Sequence, residues 1–126
     1  MIKPVLYEIK KSKFYSYCFD ITNKEEITNL KKTLNLEYKK ATHICYGYSF
    51  LNNGILNAGF DDDGEPSGTA GRPIRDLLLK RNIHNKVVFV IRYFGGIKLG
   101  AGGLIRSYIK SANLSIDEFI KINGDT

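Results

Sequence analysis

The fold of this chain is decided by residues 87–91, which read Val87-Val88-Phe89-Val90-Ile91. Five consecutive apolar residues, most of them β-branched, are typical of a central strand that is covered on at least one face. We expect the strand to end in Arg92-Tyr93-Phe94, and a glycine-rich segment follows it from Gly95 to Gly103. The remaining elements must therefore form a sheet around this strand and cover it.

Two hairpins are predicted in the first half of the chain. Residues 5–9 and 14–21 are rich in β-branched and aromatic side chains, and a polar turn at 10–13 joins them. Residues 43–50 alternate between apolar and other positions, and Asn53-Gly54 is the strongest short signal for a hairpin turn. The strand that returns from this turn is predicted at 55–60.

One face of the 43–50 strand carries an aromatic stripe, formed by Tyr46, Tyr48 and Phe50 together with Ile44. Such a stripe can stack nucleic-acid bases on an open sheet. At strand spacing it is more often part of a packed core, and we favour that interpretation.

Three helices are predicted. Thr22-Asn23-Lys24-Glu25 matches a capping box, and apolar residues at helical spacing predict a helix over 23–36. A short helix begins at Pro73 and ends near Asn82, and a long amphipathic helix follows Gly103. The order β-β-α-β-β-loop-α-β-α indicates an α+β fold with one mostly antiparallel sheet.

The composition fits a single domain over residues 1–126. Hydrophobic residues make up 43% of the chain and charged residues 25%, so we expect an ordered core. No apolar run approaches the roughly 20 residues that span a bilayer, and the first residues lack the apolar region of a signal peptide. Cys18 and Cys45 have no CxxC spacing. We expect a reduced, cytoplasmic protein with no membrane partner.

Positive charge is concentrated in residues 72–110. The chain has 19 Lys and Arg against 13 Asp and Glu, a formal charge of +6, and all five arginines lie in this block, where Asp76 is the one acidic residue. Planar guanidinium groups suit phosphate or carboxylate, which favours a site for a phosphate-bearing partner. A solvated basic surface is the alternative, and charge alone does not separate the two.

Two segments are candidates for chemistry. The glycine segment after the 87–94 strand fails the spacing of both the Walker loop and the dinucleotide fingerprint, which leaves an anion-binding corner or tight packing as open interpretations. The long loop at 61–72 begins with three aspartates but lacks the ligand spacing of an EF-hand. A catalytic triad is disfavoured, because Ser67 is not in a nucleophile elbow.

Three long motifs make the chain similar to a known family. They are Ala41-Thr42-His43-x-Cys45-Tyr46, Asp62-Asp63-Gly64-Glu65-Pro66-Ser67-Gly68-Thr69-Ala70-Gly71-Arg72-Pro73 and Arg92-Tyr93-Phe94-Gly95-Gly96-Ile97-Lys98-Leu99-Gly100-Ala101-Gly102-Gly103-Leu104. With Ser12-Lys13-Phe14 near the start, they resemble the amino-terminal domain of the YigZ/IMPACT family over nearly the whole chain.

The resemblance implies a fold and a setting. It implies a four-stranded sheet with two helices on one face, similar to the second domain of ribosomal protein S five, and a link to the regulation of translation. Bacterial members usually carry a second, ferredoxin-like domain, which we expect this chain, ending at Thr126, to lack.

Three functional hypotheses follow, and the first two need neither a cofactor nor a metal. The first is a non-enzymatic domain that binds nucleic acid or the ribosome, with these binding residues: Arg72, Arg75, Arg92, Tyr93, Lys98 and Arg106. The second is a protein-interaction module that presents the 61–72 loop. The third is a metal-assisted enzyme that acts on a phosphorylated small molecule through Asp62 and Asp63. The motif residues singled out with them are Asp62, Asp63, Glu65, Ser67, Thr69, Gly95, Gly96 and Gly100.

Overall fold

The apolar run at 87–91 forms the middle strand of the sheet. The structure, a computed structural model of the chain, describes residues 3–124. In that range the elements are β1 (Val5–Ile9), β2 (Ser12–Asp20), α1 (Lys24–Glu37), β3 (His43–Asn52), β4 (Ile55–Asp61), α2 (Gly71–Lys80), β5 (Lys86–Tyr93) and α3 (Gly100–Asn123).

The sheet has the strand order β1-β2-β5-β3-β4, and all its neighbouring strands are antiparallel. Val88 of β5 lies opposite Cys18 of β2 on one side and Gly47 of β3 on the other. The predicted α+β class with an antiparallel sheet is therefore confirmed, and so is the central position of the apolar run.

The expected four strands with two helices on one face are wrong in number and in arrangement. The described residues form five strands and three helices. Val88 and Val90 pack in one core with α2 and α3, whereas Val87, Phe89 and Ile91 pack in a second core with α1. Because successive side chains of a strand point to opposite faces, a strand that is apolar at every position needs cover on both.

The start of α1 lies one residue beyond the predicted capping box. Asn23 is the N-cap, and its side chain accepts a hydrogen bond from the Glu26 backbone N–H at 3.0 Å. The Glu26 carboxylate in turn accepts from the Thr22 backbone N–H at 2.8 Å. Reciprocal capping is therefore present, but it is made by the side chains of Asn23 and Glu26 instead of those of Thr22 and Glu25.

Both hairpins close with two residues. Asn53 and Gly54 have φ values of 52° and 77°, which confirms the turn predicted there. The first hairpin turns at Lys10 and Lys11, with φ values of 47° and 66°, and not over four residues. Lysine in this left-handed region costs about 1–2 kcal/mol per residue, since its Cβ crowds the backbone.

Helix α2 lies directly against strand β3 at Gly47. A Cβ atom added to Gly47 would lie 2.4 Å from the backbone nitrogen of Arg75. Glycine is required at this position because two backbones, and no flexible side chain, occupy the space. In the same residues 3–124, no helix is both long and apolar enough to cross a membrane.

Replacement of Gly47 by alanine should therefore weaken the fold. We expect Gly47→Ala to lower the free energy of unfolding by about 1–3 kcal/mol or more, because α2 must move away from β3. Gly102→Ala is the matched control: its new methyl group meets only the end of the Arg106 side chain, and alanine is the better helix former. Urea unfolding of both variants checks this, and equal stability of Gly47→Ala and the parent would contradict it.

Candidate functional site

A buried ion pair lies at one end of β5. Nη1 of Arg92 donates to both carboxylate oxygens of Glu65, at 2.8 and 3.0 Å. The two side chains are 5% and 3% exposed. Arg92 is therefore not available to a phosphate at the surface, because Glu65 neutralises its guanidinium inside the protein. The guanidinium also lies over the rings of Phe14 and Phe94.

Three other elements contribute polar groups to this ion pair. The hydroxyl of Tyr108 on α3 donates to Glu65 Oε2 at 2.5 Å, and Nε2 of His43 on β3 lies 3.3 Å from Glu65 Oε1. Nη2 of Arg92 donates to the hydroxyl oxygen of Ser12 on β2 at 3.3 Å. The motifs of the sequence thus meet in the interior, where they connect the 61–72 loop and α3 to the sheet.

The cysteine beside this cluster is a packing residue. Cys45 is fully buried, and its Sγ lies 3.6 Å from the Tyr108 hydroxyl. Burial raises the pKa of Cys45 and the pKa of Tyr108 well above their ordinary values. Burial also raises the pKa of Cys18, from 9.0 to about 12. Because the thiolate is the reactive form, neither cysteine is prepared to act as a nucleophile.

The 61–72 loop is ordered by its own carboxylates. Asp62 accepts backbone N–H groups of Gly68, Ala70 and Arg72, at 2.8, 3.2 and 3.3 Å. The Asp62 carboxylate thereby accepts N–H groups at the amino end of α2, where the N-cap residue Ala70 has no side chain that could do so.

Asp63 and Thr69 complete the same loop. The Asp63 carboxylate accepts the Ile44 backbone N–H at 2.6 Å, and the Thr69 hydroxyl donates to the Pro66 carbonyl at 2.5 Å. Ser67 is exposed. Over the described range 3–124, no group of three or more His, Cys, Asp or Glu side chains is placed to hold a metal ion. Asp62 and Asp63 thus accept hydrogen bonds from the backbone of the loop, of α2 and of β3.

The glycine segment packs against the lysine turn of the first hairpin. A Cβ on Gly95 would lie 2.1 Å from backbone atoms of Lys11, so the two backbones are in direct contact. The Gly95 N–H also donates to the Ser12 hydroxyl oxygen at 3.2 Å. Gly96 and Gly100 have φ values of 90° and 73°, a conformation that favours glycine. Tight packing therefore accounts for Gly95.

Two predicted cations follow this contact. Lys98 and Arg106 are exposed, and Nη1 of Arg106 lies over Gly102 in the first turn of α3. The N-cap, Leu99, provides no side-chain cap, and the first turn holds no acidic residue. Unpaired backbone N–H groups and two cations thus lie at the amino end of α3.

The other predicted residues lie elsewhere. Arg75 pairs with Asp76 at 2.8 Å and stacks on Phe60, and exposed Arg72 lies 3.9 Å from the same carboxylate, so both belong to α2. Tyr93 points to the face of the sheet opposite Arg92, where it contacts the rings of Tyr15 and Tyr38. The structure does not bring the predicted set together on one surface.

Sequence reasoning missed Lys10 and Lys11 at the surface and Tyr108 inside. The lysines lie more than 80 residues from the glycine segment, and nothing in their local pattern signals the contact. Tyr108 is hidden in the apolar stripe of a helix. One signal in the sequence could have indicated the buried ion pair: two residues of opposite charge, Glu65 and Arg92, stand in two of the long motifs.

The sequence matches the Impact N-terminal domain over residues 10–116. It is 42% identical to the IMPACT family member YvyE of Bacillus subtilis over 105 residues, which cover 83% of this chain and 48% of that protein. The chain thus spans about half the length of this curated relative.

Two solved structures have the same fold. A protein described as hypothetical matches with a TM-score of 0.83 and 32% identity, covering 92% of this chain and 57% of the other. The two-domain translational regulator Yih1 matches with a TM-score of 0.60 and 22% identity, covering 95% and 45% of the two chains.

The buried ion pair generates a stability prediction. Glu65→Gln should lower the free energy of unfolding by about 3–5 kcal/mol, because it leaves the Arg92 guanidinium buried without a counter-charge. The double variant Glu65→Gln with Arg92→Met should lose less than Glu65→Gln alone, since neither charge is left. Urea unfolding of the three proteins measures this, and a double variant less stable than the single one would contradict it.

The thiols generate a second prediction. In the folded protein, Cys18 and Cys45 should not react with an aromatic disulfide reagent at about pH 8, and both should react once urea unfolds the chain. The stability that neutral Cys18 contributes is complete below pH 9.0 and is lost as the pH rises toward about 12, because the unfolded chain ionises first. Rapid labelling of either thiol in the native state would contradict the assignment.

Proposed function

Because the chain belongs to the Impact N-terminal domain family, we propose that it is a non-enzymatic domain that binds RNA in the setting of translation. A protein of the same fold is described as a translational regulator, and this supports the setting. The observation that supports RNA binding is the contact between the lysine turn and the glycine segment, in which the backbone of Lys11 lies against Gly95, three residues before Lys98.

We define the basic surface as Lys10, Lys11, Lys98 and Arg106 with the amino end of α3. Among residues 3–124, no carboxylate forms an ion pair with any of these four side chains, whereas Arg81, Lys31 and Lys86 all have one. Nearby Lys13 is opposed by Glu8 across the first hairpin and is left out. Cations without internal partners are those able to exchange counterions for phosphates.

The lysine turn itself supports a binding role. The second hairpin has two positive φ values at the same positions of its turn, and there they are adopted by Asn53 and Gly54. Asparagine and glycine adopt such φ values at little cost in free energy. Lys10 and Lys11 adopt them at a cost in stability, and strain of this kind is often found at functional sites. Single-stranded RNA is the partner that we propose, because its flexible backbone can bring phosphates to a cationic surface.

The carboxylates favour binding over catalysis. Asp62 accepts three backbone N–H groups, and Asp63 accepts the Ile44 N–H. Glu65 is bound to Arg92 and Tyr108. Each acidic side chain that could act in catalysis thus has a structural partner, and for this reason we propose no reaction.

Salt should control the interaction. We expect a fluorescent single-stranded RNA to bind with a Kd that rises roughly fifty-fold between about 50 and 200 mM salt if four phosphates are contacted. Lys98→Ala and Arg106→Ala should each weaken binding and lower the slope of log Kd against log salt by about 0.7. Lys121→Ala is the matched control, because it lies 15 residues after Arg106 on α3, roughly 22 Å along the axis.

The lysine turn allows a sharper test in which stability and binding change in opposite directions. The double variant Lys10→Asn with Lys11→Gly should raise the free energy of unfolding by about 1 kcal/mol and weaken RNA binding at the same time. Fluorescence anisotropy and urea unfolding measure the two effects. RNA binding that is absent, independent of salt, or equally weakened by Lys121→Ala would overturn the proposal.

A further inference from the structure

A groove lies along the edge of the sheet at the far end of the first hairpin from the lysine turn. Its volume is about 1140 Å³. Its floor is the second half of β2, around Cys18 and Phe19, and its walls are α1, through Leu30, and α3, through Phe119 and Ile122. We call it the edge groove. It shares no residue with the basic surface.

The floor of the edge groove is an unpaired strand edge. β1 pairs with β2 only from Ser12 to Ser16, where Val5 is the last partner. Tyr17–Asp20 pair with β5 on one side, and no residue between 3 and 124 pairs with them on the other.

The open edge therefore presents backbone hydrogen-bonding groups to the groove. Successive residues of a strand direct their N–H and C=O groups to alternate sides, so two of the four residues in Tyr17–Asp20 face outwards. Exposed strand edges are usually shielded by charge, proline or a covering element. Here α1 and α3 flank the edge on the two faces of the sheet and leave a slot between them.

The slot has an apolar interior and an acidic rim. Ile122 is 71% exposed and Leu6 is 49% exposed, so both present apolar surface. Glu118 on α3 and Glu26 on α1 place one carboxylate on each side, although that of Glu26 also accepts hydrogen bonds from Thr22. Asp20 adds a third, which is already paired with Lys86 at 2.6 Å. Among the lining residues that the structure describes, Lys3 is the one cation. The local charge is thus negative, in a protein with a formal charge of +6.

We propose that the edge groove binds an extended peptide that carries apolar residues and a basic residue on each of its two faces, and that this peptide adds to the sheet as a strand beside Tyr17–Asp20. The open backbone edge supplies the hydrogen bonds, as in other complexes formed by β-strand addition. The side chains of such a strand point alternately toward α1 and α3, and each wall offers an apolar surface and one glutamate. The acidic rim excludes RNA from this surface and selects a cationic peptide.

The test uses a designed probe, the acetylated and amidated hexapeptide Val-Lys-Val-Val-Lys-Val, which presents two valines and one lysine to each wall. The affinity and the position of binding are both measured from the backbone amide chemical shifts of the protein as the peptide is added. We expect saturable binding, with shifts confined to Tyr17–Asp20 and the facing turns of α1 and α3. Alternate N-methylation of the peptide should weaken binding roughly ten- to thirty-fold, because two backbone hydrogen bonds are lost.

Charge provides the protein control. Glu118→Lys should weaken binding of the hexapeptide, whereas Glu25→Lys, the same reversal at an exposed position of α1 outside the groove, should not. The RNA affinity of Glu118→Lys should show no loss, which separates this inference from the proposed function. No binding of the hexapeptide, equal binding of its N-methylated form, or amide shifts that map to another surface would each overturn the proposal.

Discussion

The ion pair between Arg92 and Glu65 is the constraint on which the arrangement of the 61–72 loop, β5 and α3 depends. A buried guanidinium is tolerated only with a counter-charge and further hydrogen bonds. Glu65 supplies the charge from a loop, so that loop must lie against the end of the sheet. Tyr108 binds the same carboxylate from α3, and Ser12 meets the guanidinium from β2. The main effect of the ion pair is therefore to fix one arrangement of four segments, and its contribution to the net free energy of folding is secondary.

The motif residues are divided between the interior and the surface. Asp62, Asp63, Glu65 and Arg92 hold the 61–72 loop and the end of β5 in place. Gly95 packs against the backbone of Lys11, and Lys98, three residues later, is exposed. The same motifs thus fix the internal structure and bring the lysine turn against the glycine segment.

The first hairpin has two ends with opposite charge. Its turn carries Lys10 and Lys11 at positive φ, and at its other end one edge of Tyr17–Asp20 has no strand partner among residues 3–124 and lies between two helices with glutamates. A strand of five residues rises about 3.3 Å per residue, so the two ends lie roughly 16 Å apart. This separation exceeds the Debye length at physiological salt, so the acidic rim does little to weaken the basic surface.

The sequence by itself determined the local structure, because local structure depends on neighbouring residues: the apolar run at 87–91, the Asn53-Gly54 turn and the stripe of α1 all lie where their patterns predicted them. The order of elements predicted from the sequence contained five strands, as the structure does, whereas the resemblance to the family implied four. Only the tertiary structure decided that α1 covers the second face, that Arg92 faces inwards, and that Lys11 meets Gly95. These facts depend on residues far apart in the chain, and whether a charge finds a partner inside the protein or remains at its surface is decided only when those residues meet.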